Sequence, residues 1–294
     1  MLLGLFTPDW IVKYLVDNSL GEVIKNKKIQ DIKFLDPCQG TGNILIYAFD
    51  LLYQKYADLG IEKEDSIYNI LTKNLYGIDI DETACLITKL VLILKASQII
   101  TNIFDKNWLD EMNISCIKNS NDLDEKKYGE IVKIFKDADE FGSLLKFEDN
   151  KELSTYIIQS KNYKINENKS NESKLKDNKS NENKSKDNRI KDLAKQYEIL
   201  TQKYDVVCTN PPYMGKKNIN NKLSKFLKEK YPDTKSEMYA AFIERCIEFT
   251  DDKGYLAMIT IHSWMFISSF KTLRKKILER RNSYKYASFW CSNI

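Results

Sequence analysis

Histidine is almost missing: His262 stands alone in 294 residues. A single imidazole excludes a zinc site of the HExxH kind and argues against a Ser-His-Asp hydrolase. Cysteine occurs six times, at Cys38, Cys85, Cys116, Cys208, Cys246 and Cys291, but never as a CxxC pair. That scatter argues against zinc ribbons, iron-sulfur clusters and a disulfide framework. The thiols read as reduced, as expected of a cytoplasmic protein, and no metal site is expected. Long apolar runs are lacking too. Ala84 to Ile100 is the longest, and Lys89 and Lys95 interrupt it. Met1 to Phe6 has neither the charged start nor the length of a signal peptide, so no membrane association is expected. Nor is there a strong charge excess: the net charge is +4, and residues 160–193, with ten basic and six acidic side chains, carry all of it.

What is present is apolar material for one large domain, 43% of the chain. Asp31 to Leu35 is a short β-type run ending at Asp36, followed by a glycine-containing turn and a helical pattern over Ile44 to Tyr56. Asn74 to Ile80 reads as a second strand, and Glu82 to Ala96 as a helix with Cys85, Leu86, Leu90, Val91 and Leu94 on one face. Further strands are expected at Ile114 to Lys118, Tyr204 to Thr209 and Tyr255 to Ile261, with a helix over Glu237 to Phe249. Strands alternating with helices indicate an α/β fold, a mostly parallel sheet with helices on both faces. One segment does not fit: KSNESKLKDN (Lys169 to Asn178) is followed by KSNENKSKDN (Lys179 to Asn188), identical at eight of ten positions. Almost without apolar side chains, it cannot offset its ordering entropy, and Tyr163 to Ile190 is expected to be a mobile insertion. The expected division is 1–157, an insertion at 158–192, and 193–294.

Three places carry chemistry. Asp36-Pro37-Cys38-Gln39-Gly40-Thr41-Gly42 sits at the end of the first strand, where open parallel sheets bind ligands. The dinucleotide fingerprint fails because its third glycine position is Leu45, and no Walker lysine follows. Asp79 ends the second strand, where a carboxylate can accept both hydrogen bonds of a ribose diol, and Ile80 beside it offers an apolar wall to a planar base. Asn210-Pro211-Pro212-Tyr213 follows the strand YDVVCT. Two prolines fix the backbone, so the Pro211 carbonyl and the Asn210 amide are rigid acceptors with an aromatic face next to them. Two acceptors and a ring suit a planar base bearing an exocyclic amino group.

The order FTPDW (Phe6 to Trp10), DPCQGTG, YGIDID, NPPY and KGYLAMITIHSW (Lys253 to Trp264) resembles amino-group DNA methyltransferases of the gamma arrangement. The run NPPYMGKKNINNKLSKFLKEKYPDTKSEMYAAFIER (Asn210 to Arg245) is more narrowly similar to the adenine-specific methyltransferases of bacteriophage-exclusion (BREX) systems. The resemblance implies a Rossmann-like fold that transfers a methyl group from S-adenosyl-L-methionine to adenine N6 in DNA, within phage defence or restriction-modification. It implies that Thr7 and Pro8 line the methionine end of the cofactor, that Asp36, Pro37 and Gly40 to Gly42, with Thr41, hold its amino group and backbone, and that Asp79 and Ile80 hold its ribose and adenine. Asn210 and Pro211 would hold the target amine, with Pro212 keeping the loop rigid, and Tyr213 would stack on an adenine flipped out of double-stranded DNA. By the same resemblance 1–157 is the cofactor-binding half and 193–294 the catalytic half, cut before a target-recognition region, with other defence proteins as partners. The family's acid after the third strand is replaced here by Lys118-Asn119-Ser120. Lys216, Lys217, Lys222, Lys225, Lys228 and Lys230, and Lys271, Arg274, Lys275, Lys276, Arg280 and Arg281, are expected to support phosphate contacts. A glutamine- or RNA-directed methyltransferase and a catalytically silent scaffold are the alternatives, because NPPY alone is shared with methylases of both kinds.

Overall fold

A computed structural model describes residues 7–125, 129–147, 180–215 and 218–279. Five strands, β1 (Phe34–Asp36), β2 (Leu75–Asp79), β3 (Asn113–Cys116), β4 (Tyr204–Thr209) and β5 (Thr250–Met258), form one sheet in the order β3-β2-β1-β4-β5. Every pairing is parallel, with Phe34 opposite both Leu75 and Val206, and Thr209 opposite Met258. The chain runs outward from β1 to β3, then returns to the other side of β1 to lay down β4. The carboxyl ends of β1 and β4 are therefore a topological switch point, where neighbouring connections diverge and leave a crevice.

The side-chain period of a strand divides the core. Phe34, Leu75, Ile114 and Val206 point to one face, where they pack with α1 (Asp9–Asp17), α2 (Leu20–Asn26), α3 (Asn43–Asp58), α4 (Lys63–Asn69) and α5 (Glu82–Ser97). Leu35, Tyr76, Ile78 and Val207 point to the other. There they meet α6 (Glu130–Phe135), α7 (Ala138–Phe141), α8 (Ser180–Thr201), α9 (Asn221–Lys230) and α10 (Met238–Phe249). A last helix, α11 (Lys271–Glu279), packs Leu273 and Ile277 on Tyr239 and Trp264. Burial on both faces explains why these strands read as apolar runs rather than as alternating ones. The approach to β1 is fixed by a buried amide: Asn74 Nδ2 donates to the carbonyls of Ile29 and Ile32, each at 2.8 Å, and its Oδ1 accepts from Tyr56 at 3.0 Å.

Two expectations fail here. The residues expected to share one face of α5 are split, with Leu86 59% and Leu90 52% exposed while Cys85 is buried. With Cys85 the helix buries Ala84, Thr88, Leu92 and Ala96. Small side chains let it approach the sheet and the glycine loop closely, and that contact outweighs the larger area of the leucines. The mobile insertion was expected to extend to Ile190, and the insertion unit to 192, but α8 begins at Ser180. Ile190, Leu193, Ala194, Tyr197 and Leu200 recur at helical spacing and are buried in the core. Residues 158–179 lie outside the described residues. Among the described residues no helix is long and apolar enough to cross a membrane.

Candidate functional site

Asp36 ends β1 almost fully buried, 1% exposed. Its Oδ1 accepts from the Thr209 hydroxyl at 2.7 Å and from the Cys38 N–H at 3.1 Å, which ties the tips of β1 and β4 together. Burial pushes the carboxyl up to about 7; the two hydrogen bonds oppose the rise, and the charge of Asp79 adds to it. Asp36 is thus buried at the foot of the loop that follows it. The loop turns tightly, with the Gly42 N–H donating to the Gln39 carbonyl at 2.8 Å. Gly42 has φ +87°, and a Cβ there would lie 2.7 Å from the Thr88 methyl. Thr88 Oγ1 donates to the Gly40 carbonyl at 3.0 Å, and Ser143 Oγ donates to the Pro37 carbonyl. The buried Gln39 amide donates to Cys85 Sγ at 3.2 Å, while its Oε1 has no hydrogen-bond partner.

Asp79 joins this loop from β2. Its Oδ2 accepts the Gly40 N–H at 2.9 Å and its Oδ1 accepts the Asp81 N–H at 3.1 Å. Each oxygen keeps a second lone-pair direction for a hydroxyl donor. Ile80 is 54% exposed beside it. A Cβ built on Gly40 meets nothing within 4 Å, so the loop faces open space. Thr41 is half-buried and Pro37 buried in the same turn.

Across the switch point, Asn210 follows β4. Its Nδ2 donates to Thr7 Oγ1 at 3.1 Å, bringing together residues 203 positions apart in the sequence. Thr7 is buried; Pro8 is exposed at the start of α1, where its carbonyl accepts from the Ile11 and Val12 N–H groups. The Tyr213 hydroxyl lies 2.9 Å from Asn210 Oδ1 and 2.8 Å from the Ile259 carbonyl, just past β5. Burial pushes this phenol up. Its ring is tilted against Tyr239, with centroids 6.2 Å apart, and the Tyr239 hydroxyl bonds Ser263 at 2.8 Å. Pro211 is buried and Pro212 exposed.

The expected residues thus fall into two groups on either side of the switch point: Asp36, Pro37, Gly40, Thr41, Gly42, Asp79 and Ile80 on the β1–β2 side, and Thr7, Pro8, Asn210, Pro211, Pro212 and Tyr213 on the β4–β5 side. Thr209, Thr88, Ser143 and Ile259 escaped sequence reading. Only Thr209 gave a signal, as a hydroxyl at the end of an apolar strand directly before NPPY. The basic residues are less available than expected. Lys222 pairs with Asp137 and Glu140, Lys276 with Asp233 and Glu244, and Lys275 with Glu279, while Arg274 donates to the carbonyls of Trp264 and Ile267. Lys225, Lys228 and Lys271 are exposed; Lys216, Lys217, Arg280 and Arg281 lie outside the described residues. His262 is exposed beside Phe266, and the described residues hold no cluster of three or more metal-ligating side chains.

Comparison with known proteins gives this geometry a family. Residues 73–294 match the sequence model described as Eco57I restriction-modification methylase, and residues 4–124 match N-6 DNA Methylase. The chain is 31% identical over 328 residues to the adenine-specific methyltransferase PglX of Lacticaseibacillus casei (strain Zhang), covering 93% of this chain and 26% of that protein. It is 26% identical over 345 residues to the adenine-specific methyltransferase BrxX of Escherichia coli O9:H4 (strain HS), covering 94% and 28%. The chain spans about a quarter of the length of these relatives. The fold matches the ATP-dependent Type ISP restriction-modification enzyme LlaBIII, solved bound to DNA, with a TM-score of 0.57 and 18% identity over 94% of this chain and 16% of that one. The α/β Rossmann-like methyltransferase fold is thereby established, and the chain belongs to the Eco57I restriction-modification methylase family.

Proposed function

We propose that this chain is the methyl-transfer core of a DNA adenine N6-methyltransferase that uses S-adenosyl-L-methionine, acting in the cytoplasm within a phage-defence or restriction-modification system. The observation that carries the reading is the seating of the Asn210-Pro211-Pro212-Tyr213 loop at the tip of β4, hydrogen-bonded to Thr7 and facing the glycine loop across the switch point. The donor set fits the cofactor. The Gly40 turn opens on free space, Asp79 has lone pairs left for a ribose diol, and Ile80 offers an exposed apolar wall. When bound, the cofactor supplies an electrophilic methyl group on a sulfonium.

The chain's own part is orientation. Asn210 Oδ1 and the Pro211 carbonyl accept the two hydrogens of the target amine, which aims the nitrogen lone pair across the crevice. The prolines hold those acceptors without a backbone donor to compete for them. The ring of Tyr213 stacks on an adenine flipped out of double-stranded DNA. Asp36 props the loop from beneath by tying β1 to β4. No cysteine nucleophile is needed, because an exocyclic amine can attack the methyl group in line. The acceptors require only an amide or amine as target, so DNA is chosen over glutamine or RNA on the strength of the PglX and BrxX relatives. Other proteins of the same defence system are the proposed partners.

The test is calorimetric titration with S-adenosylmethionine, with Asp79→Ala as the control, followed by detection of N6-methyladenine on mixed DNA. Micromolar binding that Asp79→Ala abolishes, and base methylation that Asn210→Ala abolishes, are expected. A folded chain that binds no cofactor overturns the reading and favours a silent scaffold.

A further inference from the structure

We infer that Phe266 is an apolar wedge for DNA, whose ring enters the base stack and fills the place that a flipped adenine leaves. The inference rests on the methyl-transfer reading of the neighbouring site and adds to it a surface that meets the rest of the duplex.

Phe266 is the most exposed large apolar side chain among the described residues, 76% in water, and Ile267 beside it is 47% exposed. Stability does not ask for this, since burying such a ring is favourable. The turn that carries them is nonetheless fixed. Trp264 and Phe270, on either side in sequence, are buried with Tyr239, Leu273 and Ile277. The N–H groups of Phe266 and Ile267 both donate to the Ser263 carbonyl, at 3.1 and 3.0 Å, and Arg274 donates to the carbonyls of Trp264 and Ile267, each at 2.7 Å. A ring held out on a rigid turn loses little further entropy when it inserts.

Position and charge name the partner. The turn follows β5 and Ile259, whose carbonyl accepts from Tyr213. Ser263, at its base, bonds Tyr239, and the Tyr239 ring lies 6.2 Å from that of Tyr213. From His262 to Leu278 the chain carries Lys271, Arg274, Lys275 and Lys276 and no carboxylate. Lys271 is exposed without an ion-pair partner among the described residues, and Ser268 and Ser269 are exposed between it and Phe266. An apolar tip beside hydroxyls and an unpaired lysine suits a stack of bases flanked by phosphates. Exposure also separates a wedge from a wall of the base pocket: Tyr213 is half-buried, whereas Phe266 projects. Flipping a base costs stacking energy, and an inserted apolar side chain offsets part of that cost.

The test titrates the full chain into duplexes of randomised sequence, intact or with a central abasic site, and reads binding by fluorescence anisotropy. An abasic site removes the base that the wedge would replace, so the parent should bind it about 10-fold more tightly than the intact duplex. Phe266→Ala should reduce that preference to within about twofold, and Phe266→Leu, which keeps an apolar wedge, should retain it. Lys271→Ala should weaken binding to both duplexes alike, as loss of a phosphate contact does, and leave the ratio in place. Affinity for S-adenosylmethionine and Tm should stay at the parent's values in each variant. Methylation by Phe266→Ala should fall about 10-fold on paired adenines and less than about threefold on mismatched ones, which flip at lower cost. A Phe266→Ala chain that keeps the parent's preference overturns the inference and leaves the ring to a protein contact. So does a parent with no preference, or with no affinity for either duplex. A parent that prefers the abasic duplex but binds no S-adenosylmethionine counts against the methyl-transfer reading alone.

Discussion

The two sides of the crevice are built differently. On the β1–β2 side, side chains clamp the backbone of the turn: Asp79 takes the Gly40 N–H, Thr88 the Gly40 carbonyl, Ser143 the Pro37 carbonyl, and Asp36 the Cys38 N–H. On the β4–β5 side, the contacts that matter run between side chains, from Thr7 to Asn210 to Tyr213, and from Tyr239 to Ser263, and one proton is shared between two acceptors. A side that clamps backbone is preformed for a ligand and expensive to disturb. A side built on exchangeable side-chain contacts can yield an acceptor to a substrate, at the cost of needing something to hold it in register.

The contrast can be broken in descending steps. Asn210→Ala should cut methylation by about 10³-fold, the scale of losing a transition-state contact, while thermal stability and calorimetric cofactor affinity stay near the parent's. A comparable loss of affinity would show that the two sides are not separable. Gly42→Ala should act on the opposite side and through the fold. With φ at +87° and Thr88 atoms 2.7 and 2.8 Å from the new Cβ, about 2–3 kcal/mol of stability should be lost, together with cofactor binding. Adding Thr88→Ala should recover only the steric part, as read from urea unfolding of the double variant.

Asp36→Asn sharpens the comparison through pH. The folded carboxyl keeps its proton up to about 7, against an ordinary 3.8, so between those values the folded state binds more protons than the unfolded one. Stability of the parent should therefore fall as pH rises through that window. The asparagine variant, which can still accept from Thr209 and Cys38, should lack most of that fall, a difference of about 2 kcal/mol between pH 5 and pH 8 by urea unfolding. An equal slope in both proteins would mean that Asp36 is ionised across the window. Smallest of all, Thr88→Val should cost about 1 kcal/mol by removing the hydrogen bond to the Gly40 carbonyl, with a matching loss of cofactor affinity by calorimetry.

Much of this site was legible in the residues themselves. Glycines and an acid at the end of β1, an acid at the end of β2 and NPPY at the end of β4 could be placed because strand ends are marked by a change from apolar to turn-forming residues. The orientation of α5 was not legible. Its helix carries two plausible faces, and the larger leucines drew the reading although the smaller Ala84, Cys85 and Thr88 are what fit against β2 and the loop. The start of α8 at Ser180 was missed because its first turns repeat the polar composition of the segment before it, and only the spacing from Ile190 onward marks a helix. Lys222 and Lys276 looked like free cations because their partners, Asp137 and Glu140 for the first and Asp233 and Glu244 for the second, are not adjacent in sequence.

The sequence by itself determined the parallel α/β order, the three motifs and their places at strand ends, since each depends on local propensity and on residue types within a few positions. The tertiary structure alone decided that Asp36 lies beneath the loop with Thr209, that α5 turns Leu86 and Leu90 outward, and that Thr7 meets Asn210. Those are facts of close packing between distant segments, where one hydrogen bond or the width of one side chain decides, and no local pattern records which surface another segment will need.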